Sequence, residues 1–116
     1  MNVLVTGATG FIGSYVAEKL LANGYNVRCL IRKTSNLRWL KDKNFQLVEG
    51  SLTDTNSLEE ATKDVDYIYH IAGNTSAKSL DEYIEGNCKG TINLIEAALK
   101  NAPNLKRFLY VSSQTA

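Results

Sequence analysis

Apolar residues recur along this chain in two patterns, and each pattern predicts one type of element. The run Val3–Val5 is continuous, as in a buried strand, whereas Ile12, Val16 and Leu20 recur at helical spacing. The first helix should stop at Asn23-Gly24, because glycine readily takes the left-handed backbone that ends a helix. The same reasoning predicts strands near 2–6, 26–31, 45–48, 67–71 and 107–111, and helices near 11–23, 35–41, 55–62 and 80–100.

This strict alternation of strands and helices predicts an α/β fold with a doubly wound parallel sheet. Right-handed crossovers give the expected strand order 3-2-1-4-5, with the sheet truncated after the fifth strand. Residues 1–116 form one domain in this interpretation. Thr53 or Asp54 can cap the helix near 55–62, since either side-chain oxygen can accept from the first free N–H groups. Ligands of such sheets bind at the carboxyl ends of the strands.

A glycine-rich turn follows the first strand, in the segment Thr6-Gly-Ala-Thr-Gly-Phe-Ile-Gly13. Gly7 can take angles that strain other residues, Gly10 lets a pyrophosphate approach the main chain, and Gly13 lets the helix pack close to the strand. The helix that follows presents unpaired N–H groups and the positive end of its dipole to an anion. We predict a Rossmann-type dinucleotide-binding domain, with an ordinary tight turn as the alternative.

Composition excludes several other classes of protein. The chain is 44% apolar and 22% charged, with a net charge of +1 that gives no general attraction to nucleic acid. No apolar run approaches the roughly 20 residues of a membrane helix, and no secretory signal is recognisable, so we expect a cytoplasmic protein without a membrane partner. Cys29 and Cys88 have no metal-ligand spacing. We interpret them as buried thiols rather than a disulfide, and we expect no metal.

The end of the second strand bears on the choice of cofactor. An acidic side chain there would bind the adenosine ribose of NAD and repel the extra phosphate of NADP. The segment Cys29–Lys33 contains no acid, and Arg32 can offer a planar fork to a 2′-phosphate, with Lys33 adding charge. We therefore favour NADP over NAD, and a solvated basic surface is the alternative.

Four motifs together resemble the extended short-chain dehydrogenase/reductase family. They are the glycine turn 6–13, His70-Ile-Ala-Gly73, Asn87-Cys-Lys-Gly-Thr-Ile-Asn-Leu-Ile-Glu-Ala97 and Tyr110-Val-Ser-Ser113. The resemblance covers essentially the whole chain. Within the family the chain looks most similar to the NAD-dependent epimerase/dehydratase group, near the dihydroflavonol-reductase and 3β-hydroxysteroid-dehydrogenase-like branches. It implies an enzyme that acts on a hydroxyl or carbonyl substrate, such as a nucleotide sugar or a small ketone.

The resemblance also implies roles for individual residues. Asn87 matches a helix asparagine that holds the active-site backbone and water, and a plain surface amide is the alternative. Ser113 matches the hydroxyl that hydrogen-bonds the substrate, with Ser112 as the alternative if the register differs by one. His70 is expected to be a packed strand residue rather than a catalyst. The residues that match cofactor-binding positions are Gly7, Thr9, Gly10, Phe11, Ile12, Gly13, Ser51, Leu52, Ala72 and Gly73.

The chain departs from the family pattern in two respects. Ser51 stands where the family usually has an aspartate, and its hydroxyl is a weaker acceptor for an adenine amino group than a carboxylate is. The family's proton-transferring tyrosine, followed four residues later by a lysine, belongs on a helix after the fifth strand and does not occur here. The string Tyr15-Val-Ala-Glu-Lys19 lies on the first helix, too far from the reacting atoms to act.

We therefore expect the chain to be the amino-terminal part of a longer enzyme that alone binds a nucleotide without turnover. A non-catalytic NADP-binding regulatory or sensor module, and a scaffold that has lost the ligand, are the alternatives. Without the downstream segment, Leu109, Tyr110 and Val111 should be incompletely covered. An open strand edge with apolar surface favours a homodimer, or a dimer that exchanges a strand or a helix.

Overall fold

The computed structural model describes residues 1–7, 11–31, 44–72 and 80–112, with the backbone alone at Phe11, Ala72, 80–88, Val111 and Ser112. The predicted alternation is confirmed in these ranges, with boundaries that differ by at most one residue from the expected ones. The helix predicted near 35–41 lies outside the described residues. The elements are β1 (Asn2–Thr6), α1 (Phe11–Ala22), β2 (Asn26–Ile31), β3 (Gln46–Glu49), α2 (Thr55–Thr62), β4 (Tyr67–Ala72), α3 (Leu80–Asn101) and β5 (Arg107–Ser112).

The five strands form one parallel sheet in the order β3-β2-β1-β4-β5, as predicted. β1 lies at the centre, where it pairs with β2 on one side and β4 on the other. The register places Thr6 opposite His70 at the carboxyl end of this central pair. Because all the pairings are parallel, the five carboxyl ends lie at the same edge of the sheet.

The two faces of the sheet carry separate apolar clusters. On one face Leu4 and Ile68 of the sheet are fully buried in one cluster with Leu58 of α2 and Leu94 of α3. On the other face Val3, Val5, Val27 and Cys29 form a cluster with Ala17 and Leu20 of α1. Side chains of β1 that follow one another point to opposite faces. Burial on both sides explains why Val3–Val5 is continuous rather than alternating.

Local hydrogen bonds and backbone conformation define the end of α1 and the start of α2. Gly24 has φ of +88° and donates its N–H to the Leu21 carbonyl, so the predicted stop of α1 is confirmed. Of the two predicted caps of α2, Asp54 is the one observed, since its carboxylate accepts from the Asn56 N–H at 3.1 Å. At the other end of α2, Arg28 donates to three carbonyls, those of Glu60, Ala61 and Lys63.

Cys29 is a buried free thiol, as predicted, and burial raises its pKa to about 12. The side chain of Cys88 lies outside the described residues. In the described parts of the chain, no helix combines the length and the apolar character needed to cross a membrane. The same ranges hold no group of three or more acidic, histidine or cysteine side chains arranged to bind a metal ion.

Candidate functional site

The turn after β1 brings the main chain into direct contact with β4. Gly7 has φ of +73°, and a Cβ built there would overlap the carbonyl oxygen of Ile71. A side chain at this position is therefore excluded by both the backbone conformation and the space. Gly7 itself is exposed, so its backbone borders solvent at the carboxyl edge of the sheet.

The amino terminus of α1 faces the same edge. α1 begins at Phe11, and its first turn contains no acidic residue. Gly13 is buried in that turn, whereas Ile12 is 47% exposed. An α-helix of this length presents free N–H groups and a positive dipole end, which together attract an anion. The lack of an acidic residue in this first turn is compatible with the predicted phosphate site.

Beside this turn, His70 connects two elements of the fold. Its Nδ1 lies 2.6 Å from Thr6 Oγ1, and its Nε2 lies 2.9 Å from Thr91 Oγ1 on α3. Thr6 and His70 are both essentially inaccessible to solvent. Burial lowers the pKa of the His70 imidazole below its usual value, so the ring is neutral near pH 7. A neutral ring has one donor and one acceptor nitrogen, and the two hydroxyls can satisfy both.

This network confirms the prediction that His70 is a packed strand residue. Sequence reasoning missed its two partners, Thr6 and Thr91. A signal existed for Thr6, because it occupies the last position of β1, where the register brings it opposite the end of β4. No comparable signal identified Thr91.

A second part of the candidate site is the loop Gly50–Asp54, which we call the base loop. It leaves β3 at the carboxyl edge, where the Gly50 N–H donates to the Ile31 carbonyl at 2.8 Å. The Ser51 hydroxyl accepts from the Thr53 N–H at 3.3 Å and lies 2.9 Å from Thr53 Oγ1. Ser51 and Leu52 are half-buried. The structure therefore places both predicted base-binding residues at the same edge as the glycine turn.

The structure describes only some of the remaining predicted site residues. Thr9, Gly10, Arg32, Lys33, Gly73 and Ser113 lie outside the described residues, and Phe11, Ala72 and Asn87 are described by their backbone alone. The backbone of Ala72 ends β4 opposite Ser112, at the carboxyl edge. Asn87 lies on α3, four residues before Thr91.

The Tyr15 and Lys19 pair lies on the outer surface of α1. Tyr15 is 57% exposed, and the Lys19 ammonium lies 5.5 Å from the centre of its ring. Their main interaction is thus with each other and with solvent, as in a surface cation–π pair. The lack of a catalytic role for this pair stays a prediction.

Comparison with known proteins identifies the family. The model of the NAD dependent epimerase/dehydratase family matches residues 3–116. The chain belongs to this family. The resemblance inferred from the four motifs is thereby confirmed.

Curated members of the family match almost the whole of this chain. An NAD-dependent epimerase/dehydratase of Aspergillus terreus is 39% identical over 98% of this chain and 36% of its own length. A dihydroflavonol 4-reductase of Callistephus chinensis is 32% identical over 97% of this chain and 34% of its own length. The chain therefore spans about a third of the length of the curated relatives it matches.

Solved structures match the fold. UDP-glucose 4-epimerase of Thermotoga maritima, solved with UDP-glucose, has a TM-score of 0.80 and 30% identity, over 95% of this chain and 37% of that one. The enzyme WbmH of Bordetella bronchiseptica, solved with NAD+, has a TM-score of 0.75 and 34% identity, over 92% of this chain and 37% of that one. The epimerase/dehydratase family therefore accounts for both the sequence motifs and the sheet topology.

Proposed function

We propose that this chain is the dinucleotide-binding part of an oxidoreductase or epimerase/dehydratase that acts on a hydroxyl or carbonyl substrate. The observation that carries the proposal is Gly7, whose main chain packs against the Ile71 carbonyl beside the acid-free amino terminus of α1. Such a bare backbone beside a helix terminus accommodates a pyrophosphate and leaves no room for a side chain.

The roles that we propose for the other residues rest on their match to the motifs of the family. Gly10 and Gly13, with Thr9, Phe11 and Ile12, complete the pyrophosphate site. Ser51 and Leu52 would bind the adenine end of the dinucleotide, and Ala72 and Gly73 would contact its ribose. In the whole enzyme, Asn87 and Ser113 act next to the substrate.

The bound dinucleotide would accept or donate a hydride at its nicotinamide ring. The residues of this chain bind and orient that cofactor. In the family, proton transfer to the substrate is assigned to a tyrosine and a lysine on a helix after the fifth strand, and residues 1–116 do not include that helix. We therefore propose that this stretch alone binds the nucleotide without turnover.

The experiment is a fluorescence titration of the 116-residue chain with NADPH and with NADH. Gly10→Val should abolish binding of both, because the valine side chain would block the approach of the pyrophosphate to the main chain. Circular dichroism controls for the fold of the variant. A folded Gly10→Val chain with wild-type affinity would refute the assignment of the phosphate site.

We also propose that the cofactor is NADP in preference to NAD. The absence of any acid in the segment Cys29–Lys33 supports this, together with the guanidinium of Arg32 and the ammonium of Lys33. The opposing observation is that WbmH, a neighbour of 34% identity, was solved with NAD+. Arg32→Asp should weaken NADPH binding and leave NADH binding unchanged or stronger. Equal losses for both nucleotides would exclude a role of Arg32 at the 2′-phosphate.

Finally, we propose that the chain self-associates in the cytoplasm as a homodimer or by exchange of a strand or helix. Leu109 and Tyr110 on β5 are exposed, and among the described side chains of α3 (89–101) the apolar residues Ile92, Ile95 and Leu99 are exposed at helical spacing. Apolar surface of this kind favours association. Light scattering tests the proposal, and a monodisperse monomer at high concentration would refute it.

A further inference from the structure

The base loop is attached to α3 by a side chain that no motif-based role explains. Asn93 donates from its amide Nδ2 to the Leu52 carbonyl at 2.9 Å. The two residues are 41 positions apart, and the bond is partly buried. We propose that Asn93 is a positioning residue of the nucleotide site, which holds the base loop in the conformation that receives the adenine. This inference rests on the proposed function.

One helical turn towards the start of α3, Gly90 contacts the same residue of the base loop. Gly90 is buried, and a Cβ built there would lie 3.0 Å from Leu52 Cβ and 3.2 Å from Leu52 Cδ1. Residues three apart on a helix lie on the same face. One face of α3 therefore fixes Leu52 twice, by close packing at Gly90 and by a hydrogen bond at Asn93.

Other hydrogen bonds of the base loop form within the loop or with Ser57 of α2. The Ser51 N–H donates to Ser57 Oγ at 3.0 Å, and Ser57 Oγ donates in turn to the Asp54 carbonyl at 2.7 Å. The Asp54 N–H donates to the Ser51 carbonyl at 3.0 Å. These bonds set the internal shape of the loop and its junction with α2. They do not set its position relative to α3, which is what the Asn93 bond adds.

α3 is itself anchored at the turn that carries Asn93. Thr91 contacts the His70 imidazole, and His70 contacts Thr6, the first residue of the glycine turn. The turn Gly90–Asn93 therefore joins the phosphate end of the candidate site to its base end. A dinucleotide must contact both ends at once. Fixing their separation in advance reduces the entropy that is lost on binding.

The test compares the wild-type chain with Asn93→Ala and with Asn93→Asp, whose carboxylate has the same shape but cannot donate when ionised. Asn101→Ala is the matched control, because Asn101 donates an equivalent amide bond to Ala97 within its own helix at 3.0 Å. The probes are ADP, which contains the adenine, and inorganic pyrophosphate, which does not. NMR titration measures both dissociation constants, and circular dichroism checks the fold of each variant.

We expect both Asn93 variants to weaken ADP binding about fivefold, the effect of losing one ordinary hydrogen bond from a prearranged site. Pyrophosphate affinity should stay at the wild-type value, and Asn101→Ala should change neither. Unchanged ADP affinity in both Asn93 variants would overturn the inference, as would equal weakening of ADP and pyrophosphate. A wild-type chain that binds no ADP would instead overturn the proposed function, and this inference with it.

Discussion

The buried hydrogen bond between Thr6 and His70 can be tested by measuring how its loss changes the free energy of unfolding. The perturbation is His70→Phe, which keeps an aromatic ring near Phe108 and Tyr110, whose centroids lie 6.1 and 5.4 Å from that of His70. The variant removes both ring nitrogens. It leaves the Thr6 hydroxyl without its 2.6 Å partner at a position that water does not reach, and it also removes the contact to Thr91.

The expected cost follows from the burial of the two hydroxyls. A buried polar group that loses its partner costs about 1–3 kcal/mol, so Thr6 alone accounts for roughly 2 kcal/mol. Thr91 is half-buried and can rotate its hydroxyl towards water, so its loss adds little. A domain of this size has a total stability of about 5–15 kcal/mol, which makes the effect easy to measure.

The assay is urea unfolding followed by circular dichroism. With a slope of about 1–3 kcal/mol per molar urea, a loss of 2 kcal/mol lowers the midpoint by about 1 M. Thr6→Val and the double variant Thr6→Val/His70→Phe complete a double-mutant cycle. The double variant should cost at least about 1 kcal/mol less than the sum of the two single changes, because it leaves no orphaned group at this pair. Strict additivity would refute the inferred hydrogen bond.

Two further predictions concern the same edge of the sheet. Gly7→Asn should destabilise the chain and abolish dinucleotide binding, whereas Gly24→Asn should do neither. Both glycines have positive φ, which asparagine tolerates, but only Gly7 has a carbonyl where the Cβ would lie. Urea unfolding and NADPH titration test both variants. Because burial lowers the pKa of His70, the unfolded chain binds a proton at a higher pH than the folded chain does. The contribution of the neutral ring to the free energy of unfolding is therefore complete above about pH 6.5 and is lost as the pH falls below that value. Between pH 7.5 and 5.5 the free energy of unfolding should therefore fall by up to about 1 kcal/mol more in the wild type than in His70→Phe, and parallel pH profiles would contradict this assignment.

Hydrophobic periodicity and turn residues were sufficient to predict the bounds of the described elements to within one residue, and the right-handed crossover rule then predicted the strand order. The continuous apolar run that contains Leu4 predicts a buried central strand from local sequence alone. The glycine turn was also predictable from local sequence, since the backbone directly after β1 has a positive φ that favours glycine at position 7.

The contacts made by Thr91 and Asn93 were not predictable in this way. Each depends on how α3 is rotated and how far it is shifted along the sheet, and these are set by packing among Leu58, Ile68 and Leu94 rather than by neighbours in sequence. Polar residues at helical spacing look alike whether they face a loop or solvent. Only the tertiary structure shows that Asn93 reaches the base loop.

The comparisons also bear on where substrate specificity arises in such proteins. The names of the UDP-glucose 4-epimerase and the dihydroflavonol 4-reductase indicate different reactions. Nevertheless, both proteins match nearly all of this chain, the epimerase at 30% identity and the reductase at 32%. A stretch shared by both at that level holds what the two reactions have in common, which we propose to be the dinucleotide. The choice between the reactions must then depend on the other two thirds of those proteins or on positions that vary within this one, since a fold does not by itself determine the reaction. For the same reason, the residues of this chain predict a cofactor site but no particular substrate.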